Sequence, residues 1–373
     1  MIEERHNFNL KALNTFGMDV NCGVFIEYDN EEDLLNLDFN ALEKPVFHIG
    51  GGSNVLFSGD FPGTVLHSSI LYLETLPEDS PEYAGLGEDA VLVAAGAGIK
   101  MDSICKWAAD KGFWGIENLS LIPGEAGAAA VQNIGAYGSE ISQAIHSVRC
   151  YDTAKRRFLT LRPEDCGYGY RDSFFKHQGG RYVITGVILA LSRAFSPQLG
   201  YGNVRQTAEA MLAPGEALTP LKVRKAVISI RNGKLPDPAD VGSAGSFFKN
   251  PVVSGETFAA LLRNHGELPH YDLPDGNVKI PAGWLVEQCG WKGRTVGNAG
   301  VYPKQALVLT NATGKASPAE IIALKDMIIK SVSDRFGITL VPEVEIIETR
   351  HSASAERINT AFHERQIHSR GRT

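Results

Sequence analysis

Apolar residues in the first 200 positions fall in short β-rich runs, separated by glycine turns and by a few helical segments. Runs of this length that are rich in valine, isoleucine, leucine and phenylalanine predict strands. The predicted strands are 46–49, 54–57, 64–68, 89–95, 145–151, 157–161 and 182–192. Because helices interrupt them irregularly, without a repeated βαβ unit, the pattern indicates an α+β fold.

Three helices are marked by residues that typically begin or end a helix. In KMDSICKWAADKGFWG, the apolar residues share one face and Gly112 stands where a C-terminal cap is expected. A second helix is predicted to begin at the N-cap Thr219 and to end at Gly233. In the third, Ser317 and Glu320 form a capping box before an apolar stripe, which predicts a helix packed on the core.

The chain is predicted to change domain at KLPDPADVGSAGS, which is rich in proline and glycine. We expect at least three helices beyond it and a closing strand over 340–348. The tail 349–373 has five arginines, two glutamates and few apolar residues, which predicts a mobile basic segment. His363 and His368 within it are five residues apart, so on a helix they would not share a face and no metal site is predicted.

Composition limits the class of protein. A length of 373 residues predicts two or three domains, and the net charge of −7 argues against a nucleic-acid binder. The N-terminus does not resemble a signal peptide, and the longest apolar run, 182–192, is too short to span a bilayer. Five scattered cysteines without a CxxC pair predict free thiols and a cytoplasmic location.

The stretch VFHIGGGSNVLF places three glycines, Gly50 to Gly52, between two predicted strands. A tight hairpin turn would explain them. A loop whose backbone N–H groups approach an anion such as a phosphate would also need them. The segment is neither a Walker loop nor a G-x-G-x-x-G motif, because no Gly-Lys-Ser/Thr follows and the next residues are extended.

A second glycine-rich segment, LSLIPGEAGAAAVQNIGAYGSEI, covers residues 119–141. Its small side chains could simply form tight turns, but they also let a flat ligand or a pyrophosphate lie against the main chain. Two such segments in one domain favour a ligand the size of a dinucleotide.

These segments belong to a longer set of strings that occur in the same order in one family. The strings are NTFG (14–17), GGGSNVLF (50–57), IPG and QNIGAYG (122–138), GYRDSFFK (169–176), GSFFKNP (245–251), AGWLVEQCGWKG (282–293) and PEVEII (342–347). From about residue 8 to 348 the chain resembles UDP-N-acetylenolpyruvoylglucosamine reductase, also called UDP-N-acetylmuramate dehydrogenase. The string GYGN and its surrounding insert resemble the first type in this family, which closes a tyrosine-bearing loop over its substrate.

The resemblance implies a domain arrangement. Residues 17–193 would form an FAD-binding domain of the vanillyl-alcohol-oxidase (PCMH) type, with two lobes at about 1–75 and 76–193. Residues 194–235 would hold the substrate loop and a connecting helix. Residues 236–348 would form a C-terminal α+β substrate-binding domain.

The resemblance also implies the reaction and the cofactors. Hydride would pass from NADPH to non-covalently bound FAD, and then to UDP-N-acetylglucosamine enolpyruvate, giving UDP-N-acetylmuramate for peptidoglycan synthesis. No nucleic acid, membrane insertion or metal is expected. The residues expected to contact FAD are Gly50, Gly51, Gly52, Ser53, Asn54, Pro123, Gly124, Gly127, Gln132, Asn133, Gly135, Ala136, Tyr137 and Gly138.

Three residues are expected to be catalytic by the same resemblance. Arg171 would stabilise negative charge on the substrate, although an Arg171–Asp172 surface pair is the simpler interpretation of the sequence. Ser246 would donate a proton, although it could instead cap a turn. Glu343 matches the family, whereas the strand pattern alone does not separate it from Glu345. We expect Glu343 to be protonated or paired with Arg171, because a free carboxylate would repel an anionic intermediate.

Seven further residues match positions that contact the UDP-sugar in the family, namely Tyr201, Lys234, Asn250, Tyr271, Lys279, Lys292 and Gln305. Tyr170 is expected to line the same pocket, because it stands beside Arg171. Tyrosines and lysines suit a uracil ring and a diphosphate. One departure is Ala130, which stands where many members have proline, so we expect a less rigid loop there.

Two other functions are compatible with parts of the pattern. A different flavin enzyme of the same fold could attach its flavin to a histidine, but nothing around His48 supports such a bond. A sensor that binds ligand without turnover would be favoured by loss of Ser246 or Glu343, and both are present. The sequence therefore favours the reductase.

Overall fold

A four-stranded sheet forms the first lobe of the computed structural model, which describes residues 2–349. The elements of this part are β1 (Glu3–Asn9), β2 (Asn21–Tyr28), α1 (Glu31–Asn36), β3 (Val46–Ile49), β4 (Val55–Phe57) and β5 (Phe61–Ser68). The strand order is β1-β2-β5-β3, with β5 parallel to both β2 and β3. Since β4 lies outside this sheet, the glycines between β3 and β4 are not the turn of a hairpin.

A five-stranded antiparallel sheet forms the second lobe, in the order β11-β10-β12-β7-β6. Its elements are β6 (Leu73–Thr75), β7 (Ala90–Gly96), α2 (Met101–Asp110), α3 (Ala126–Gln132), β8 (Gly135–Ala136), β9 (Ser139–Glu140), β10 (Ile145–Asp152), β11 (Arg157–Leu161) and β12 (Tyr182–Ser192). Strand β6, at the end of the first predicted lobe, pairs with β7 in this sheet.

Two helices follow the second lobe, α4 (Val204–Glu209) and α5 (Pro220–Lys234). Thr219 caps α5 through its side chain, as predicted. The predicted end at Gly233 is wrong, because α5 continues to Lys234. The buried Arg224 fixes α5 to α2 through hydrogen bonds of 2.5 and 2.9 Å to the carboxylate of Asp102.

The C-terminal part is a small α+β unit. Its elements are β13 (Gly242–Ser246), β14 (Val252–Val253), α6 (Gly255–His265), β15 (Tyr271–Asp272), β16 (Val278–Lys279), α7 (Ala282–Gln288), β17 (Thr295–Val296), β18 (Ala299–Val301), β19 (Val308–Asn311), α8 (Pro318–Phe336) and β20 (Glu345–Ile347). One sheet has the order β13-β19-β18-β17, and a second has the order β14-β16-β15. The last strand, β20, pairs in parallel with β4 of the first lobe.

The C-terminal unit and the first lobe share one hydrophobic core. On α8, the predicted stripe is fully buried in that core, and the predicted capping box of Ser317 and Glu320 is present. The shared core and the β4–β20 pairing join chain segments that are almost 300 residues apart in the sequence. They hold β20 against β4, the strand that follows the triple glycine.

The α+β class and the predicted strands are confirmed, with shifts of a few residues at their ends. Two local predictions are wrong. The strand predicted over 340–348 is limited to Glu345–Ile347, and Ala130 lies buried within α3 instead of in a loop. The five cysteines are free thiols, as predicted. Between residues 2 and 349, no helix combines the length and apolar character needed to cross a bilayer.

Candidate active site

The triple glycine forms a turn that packs tightly against neighbouring main chain. Gly52 has a φ of +58°, and a Cβ atom on it would overlap the carbonyl oxygen of Leu13. The Gly52 carbonyl accepts a hydrogen bond from the N–H of Thr15 at 3.1 Å. A Cβ on Gly51 would lie 3.2 Å from the Cα of Gly124, so the two glycine-rich segments touch each other. Only glycine fits at residue 52.

A cavity lies along these two segments, and we call it the glycine pocket. It is lined by nine of the residues expected to contact FAD, namely Gly50, Gly51, Gly52, Ser53, Asn54, Pro123, Gly124, Gly127 and Gln132. The structure therefore brings together in one cavity most of the residues expected to bind the cofactor.

A second cavity, the arginine pocket, contains the three residues expected to be catalytic. Arg171, Ser246 and Glu343 all line it, together with Tyr170 and Asn250. Ser246 lies on β13 and Glu343 precedes β20, so both belong to the C-terminal unit, whereas Arg171 comes from the second lobe. The arginine pocket is therefore assembled from parts of the chain that are distant in sequence.

Arg171 is held in place by several acceptors. Its Nε donates to Glu343 Oε1 at 2.8 Å, Nη1 donates to the Asn133 carbonyl at 3.4 Å, and Nη2 donates to the Gly135 carbonyl. Its backbone has a φ of +55°, which is uncommon for a residue other than glycine and is found at sites under functional constraint. Three of the five guanidinium N–H groups are engaged by these contacts, which leaves donors for a bound carboxylate.

Ser246 and Glu343 are neighbours because main-chain hydrogen bonds join their segments. The N–H of Glu343 donates to the carbonyl of Phe247 at 2.8 Å. Pairing between β13 and β19 shifts register before Ser246, and Gly245 in this bulge has a φ of +69°. Bulges of this kind redirect side chains near active sites. Asn54 Nδ2 donates to the Glu343 carbonyl at 3.1 Å, which ties the glycine turn to the catalytic segment.

The structure resolves the alternatives that the sequence left open for these residues. The side chains of Arg171 and Glu343 are 16% and 15% exposed and form an ion pair, as expected. Asp172 pairs instead with His177, at 2.9 Å. Glu345 lines the glycine pocket and Glu343 lines the arginine pocket, so the two glutamates lie in different pockets.

The two pockets form one continuous cleft, because Ser53, Asn54, Pro123, Gln132 and Ile134 line both. At this junction the buried Nε2 of Gln132 has no hydrogen-bond partner among the described residues. A buried amide donor without a partner is costly unless a ligand accepts from it. The glycine turn, the open donor and the continuity of the two pockets all fit a dinucleotide cofactor that reaches the arginine pocket.

Comparison with known proteins identifies the family. An FAD binding domain model matches residues 25–160, and a model described as "UDP-N-acetylenolpyruvoylglucosamine reductase, C-terminal domain" matches residues 237–347. A UDP-N-acetylenolpyruvoylglucosamine reductase from Bacteroides fragilis (strain YCH46) is 43% identical over 342 residues, covering 91% of this chain and 99% of the relative. The chain belongs to the UDP-N-acetylenolpyruvoylglucosamine reductase family.

Two further relatives agree with this assignment. A reductase of the same name from Chromobacterium violaceum is 43% identical over 350 residues, covering 93% of this chain and 99% of the relative. The crystal structure of UDP-N-acetylenolpyruvylglucosamine reductase from Thermus caldophilus has a TM-score of 0.61 at 22% identity, covering 93% of this chain and 99% of that chain. The comparison with this crystal structure supports the two-part FAD-binding fold with its C-terminal domain.

In this member of the reductase family, aromatic and basic side chains surround Tyr170, which lines the arginine pocket. The Lys279 Nζ lies 4.3 Å from the ring centroid of Tyr170, and Tyr271 pairs with Lys279 between β15 and β16. Tyr201 and Tyr271, which are 46% and 48% exposed, lie close enough to interact with each other. Tyr201 also packs against the ring of Tyr137 at 6.3 Å. Four of the expected substrate residues are thus neighbours.

Several expected site residues lie outside the linings of the two pockets. The expected FAD contacts outside the linings are Asn133, Ala136, Tyr137 and Gly138. The expected substrate contacts outside the linings are Tyr201, Lys234, Tyr271, Lys279, Lys292 and Gln305. Buried Asn133 donates to the carboxylate of Glu140 and to the Gly169 carbonyl. Lys292 pairs with Glu287 at 2.9 Å.

The cleft also contains residues that were not expected to contact FAD or substrate, among them Arg231, Lys176 and His48. Arg231, on the last turn of α5, lines the arginine pocket, and its buried Nε has no partner within residues 2–349. Lys176 donates to Gln132 Oε1 at 2.7 Å and lines the glycine pocket, where burial lowers its pKa. Burial lowers the pKa of His48 to about 4, so its imidazole is neutral there. Only Lys176 belongs to a recognised string, GYRDSFFK, which could have indicated it.

Replacement of Gly52 by alanine tests the glycine turn. We expect loss of bound FAD and destabilisation by about 3 kcal/mol, because the new Cβ overlaps the Leu13 carbonyl and forces the turn to move. Flavin absorbance of the purified protein and thermal unfolding measure both effects. Gly85→Ala is the matched control: Gly85 also has a positive φ, but nothing lies within 4 Å of its added Cβ, so only about 1 kcal/mol is expected. Equal FAD content in the two variants would contradict the assignment.

Proposed function

We propose that the arginine pocket adds first a hydride and then a proton to the enolpyruvyl group of the substrate. As a member of its family, the chain uses NADPH and FAD to reduce UDP-N-acetylglucosamine enolpyruvate to UDP-N-acetylmuramate, in peptidoglycan synthesis. The observation that carries the mechanism is the meeting of Arg171, Glu343 and Ser246 in a pocket that opens into the glycine pocket.

Bound FAD would take a hydride from NADPH and supply it to the methylene carbon of the enolpyruvyl ether. The carbon–carbon double bond then becomes a methyl group and a carbanion, whose charge spreads into the neighbouring carboxylate as an enolate. A proton added to that carbon completes the lactyl ether. One hydride and one proton are consumed for each double bond, so atoms and electrons balance.

Arg171 is suited to bind the carboxylate on which this charge collects. Its guanidinium is permanently charged, little exposed and fixed by Glu343 and two carbonyl oxygens, so it needs no reorganisation during the reaction. Glu343 would act by orienting Arg171. Because its charge is paired with the guanidinium at 2.8 Å, it does not confront the enolate as a free anion.

Ser246 is the proposed proton donor. A hydroxyl is a weak acid in water, but an enolate carbon is basic enough to take its proton when the two are aligned. The bulge at Gly245 and the hydrogen bond between Glu343 and Phe247 support this role, because they fix Ser246 beside the Arg171–Glu343 pair.

The remainder of the substrate would extend towards Tyr170, Lys279, Tyr201 and Tyr271. Lys279 offers a cation to the diphosphate, and the aromatic rings offer surfaces for the uracil ring. We also propose a cytoplasmic location, which the free thiols support because reducing compartments keep cysteines unpaired.

The reaction is tested by incubating the FAD-loaded protein with NADPH and the UDP-enolpyruvyl sugar. We expect NADPH oxidation to continue beyond one equivalent per flavin only when the sugar is present, and a product heavier than the sugar by two hydrogen atoms. UDP-N-acetylglucosamine, which lacks the enolpyruvyl group, is the control and should give no NADPH oxidation beyond that one equivalent. Steady NADPH oxidation that is independent of the sugar would contradict the proposal.

A further inference from the structure

A histidine flanked by two glutamates lies beside the glycine pocket. His67, on β5, has its Nδ1 at 2.7 Å from Glu27 Oε2 and its Nε2 at 3.2 Å from Glu125 Oε1. The side chains of His67 and Glu125 are 11% and 12% exposed, so both are largely removed from water. Both ring nitrogens can donate only when the imidazole is protonated. The geometry therefore fits a protonated histidine that bridges two carboxylates.

Glu125 belongs to the lining of the glycine pocket, whereas His67 lies behind it. The second carboxylate oxygen of Glu125, Oε2, would be 3.4 Å from a Cβ on Gly50, the first residue of the glycine turn. An acidic side chain is unexpected at a turn suited to a phosphate, because like charges repel each other strongly in a cleft with little water.

The charges around His67 favour its protonated form. Burial alone would lower the pKa of His67, but the hydrogen bonds and charges of Glu125 and Glu27 outweigh burial and raise it above the usual value. Three other titratable or charged groups surround this cluster. Arg5 interacts with Glu27, and Tyr28 interacts with Glu125. Lys100 lines the same small surface pocket as His67.

We propose that His67 carries a proton that compensates the charge of Glu125, and that this proton lets the glycine pocket accept the diphosphate of FAD. His67 is thus a positioning residue for the cofactor and not a catalytic one. The inference rests on the proposed function, since it takes FAD as the ligand of the glycine pocket.

The sign of the pH effect follows from this arrangement. Below the pKa of His67 the imidazolium offsets Glu125, and FAD binds at full affinity. As the pH rises through that pKa, the proton is lost and the carboxylate faces the diphosphate uncompensated. Binding then requires proton uptake, so the dissociation constant rises by up to about tenfold per pH unit.

The test is the affinity of FAD for protein stripped of its flavin, measured by fluorescence quenching between pH 6.5 and 9. The affinity of the wild-type protein for FAD should fall as the pH rises. His67→Gln should bind about tenfold more weakly at pH 6.5 and show no pH dependence. Glu125→Gln should bind tightly across the range, and the double variant should behave like Glu125→Gln. His6→Gln, which changes an exposed histidine of β1, is the matched control and should follow wild type.

Calorimetry of wild type in buffers of different ionisation enthalpy measures proton uptake directly, so the test does not depend on the folding of any variant. Affinity that is independent of pH, with no proton taken up, would overturn the proposal. Loss of affinity in Glu125→Gln would also overturn it and would show that the carboxylate binds an FAD hydroxyl instead. Failure of wild type to bind FAD at any pH would overturn the proposed function itself.

Discussion

Ser246→Ala is expected to leave the reduction of FAD by NADPH near the wild-type rate and to slow the reduction of the UDP-enolpyruvyl sugar by about 10²- to 10⁴-fold. The variant removes the proposed proton donor but no contact of Arg171, Glu343 or the glycine turn. Without the donor, the enolate formed by hydride transfer returns to the starting materials instead of being protonated. Anaerobic stopped-flow absorbance separates the two half-reactions.

Ser246→Cys provides the control for this prediction. A thiol occupies nearly the same position and is a stronger acid than a hydroxyl, so part of the lost rate should return. If Ser246→Ala reduced the sugar at the wild-type rate, that result would contradict the role of Ser246. So would a variant in which both half-reactions slow to the same extent, because that result indicates a general disturbance of the site.

Arg171→Met is expected to lower kcat/KM for the sugar by about 10²- to 10³-fold. The change removes the fixed cation beside the substrate carboxylate and leaves the largely buried Glu343 without its partner. The free carboxylate then repels the enolate. In the double variant with Glu343→Gln, this repulsion is absent, so part of the activity should return. Steady-state kinetics of the single and double variants measure the effect.

Arg149→Met is a matched ion-pair control for Arg171→Met. Arg149 bonds to both carboxylate oxygens of Glu31 at 3.0 Å but does not line either pocket. We expect unchanged kcat/KM in this control. Equal losses in the two variants would indicate a role in stability, and a full rate in Arg171→Met would exclude Arg171 from the reaction.

Much of the fold was predictable from local signals. Thr219 and the pair Ser317–Glu320 begin their helices because their side chains satisfy N–H groups that the helix leaves free. Gly233 was misleading, because glycine ends a helix only when its backbone leaves the helical conformation, and here the helix continues to Lys234.

The site was less predictable because it depends on long-range contacts. Arg171 and Glu343 are 172 residues apart, and the hydrogen bond from Asn54 to the Glu343 carbonyl spans 289 residues. The strand pattern gave Glu343 and Glu345 the same face, whereas in the structure Glu343 precedes β20 and points to the other pocket. His67 belongs to no recognised string, so only its neighbours in space reveal it.

The most direct test of the account is the flavin absorbance of the purified protein, recorded without oxygen while NADPH and then the UDP-enolpyruvyl sugar are added. We expect NADPH to bleach the oxidised flavin band and the sugar to restore it with formation of UDP-N-acetylmuramate. A flavin that NADPH bleaches but that the sugar does not reoxidise would contradict the assignment of the arginine pocket to this substrate.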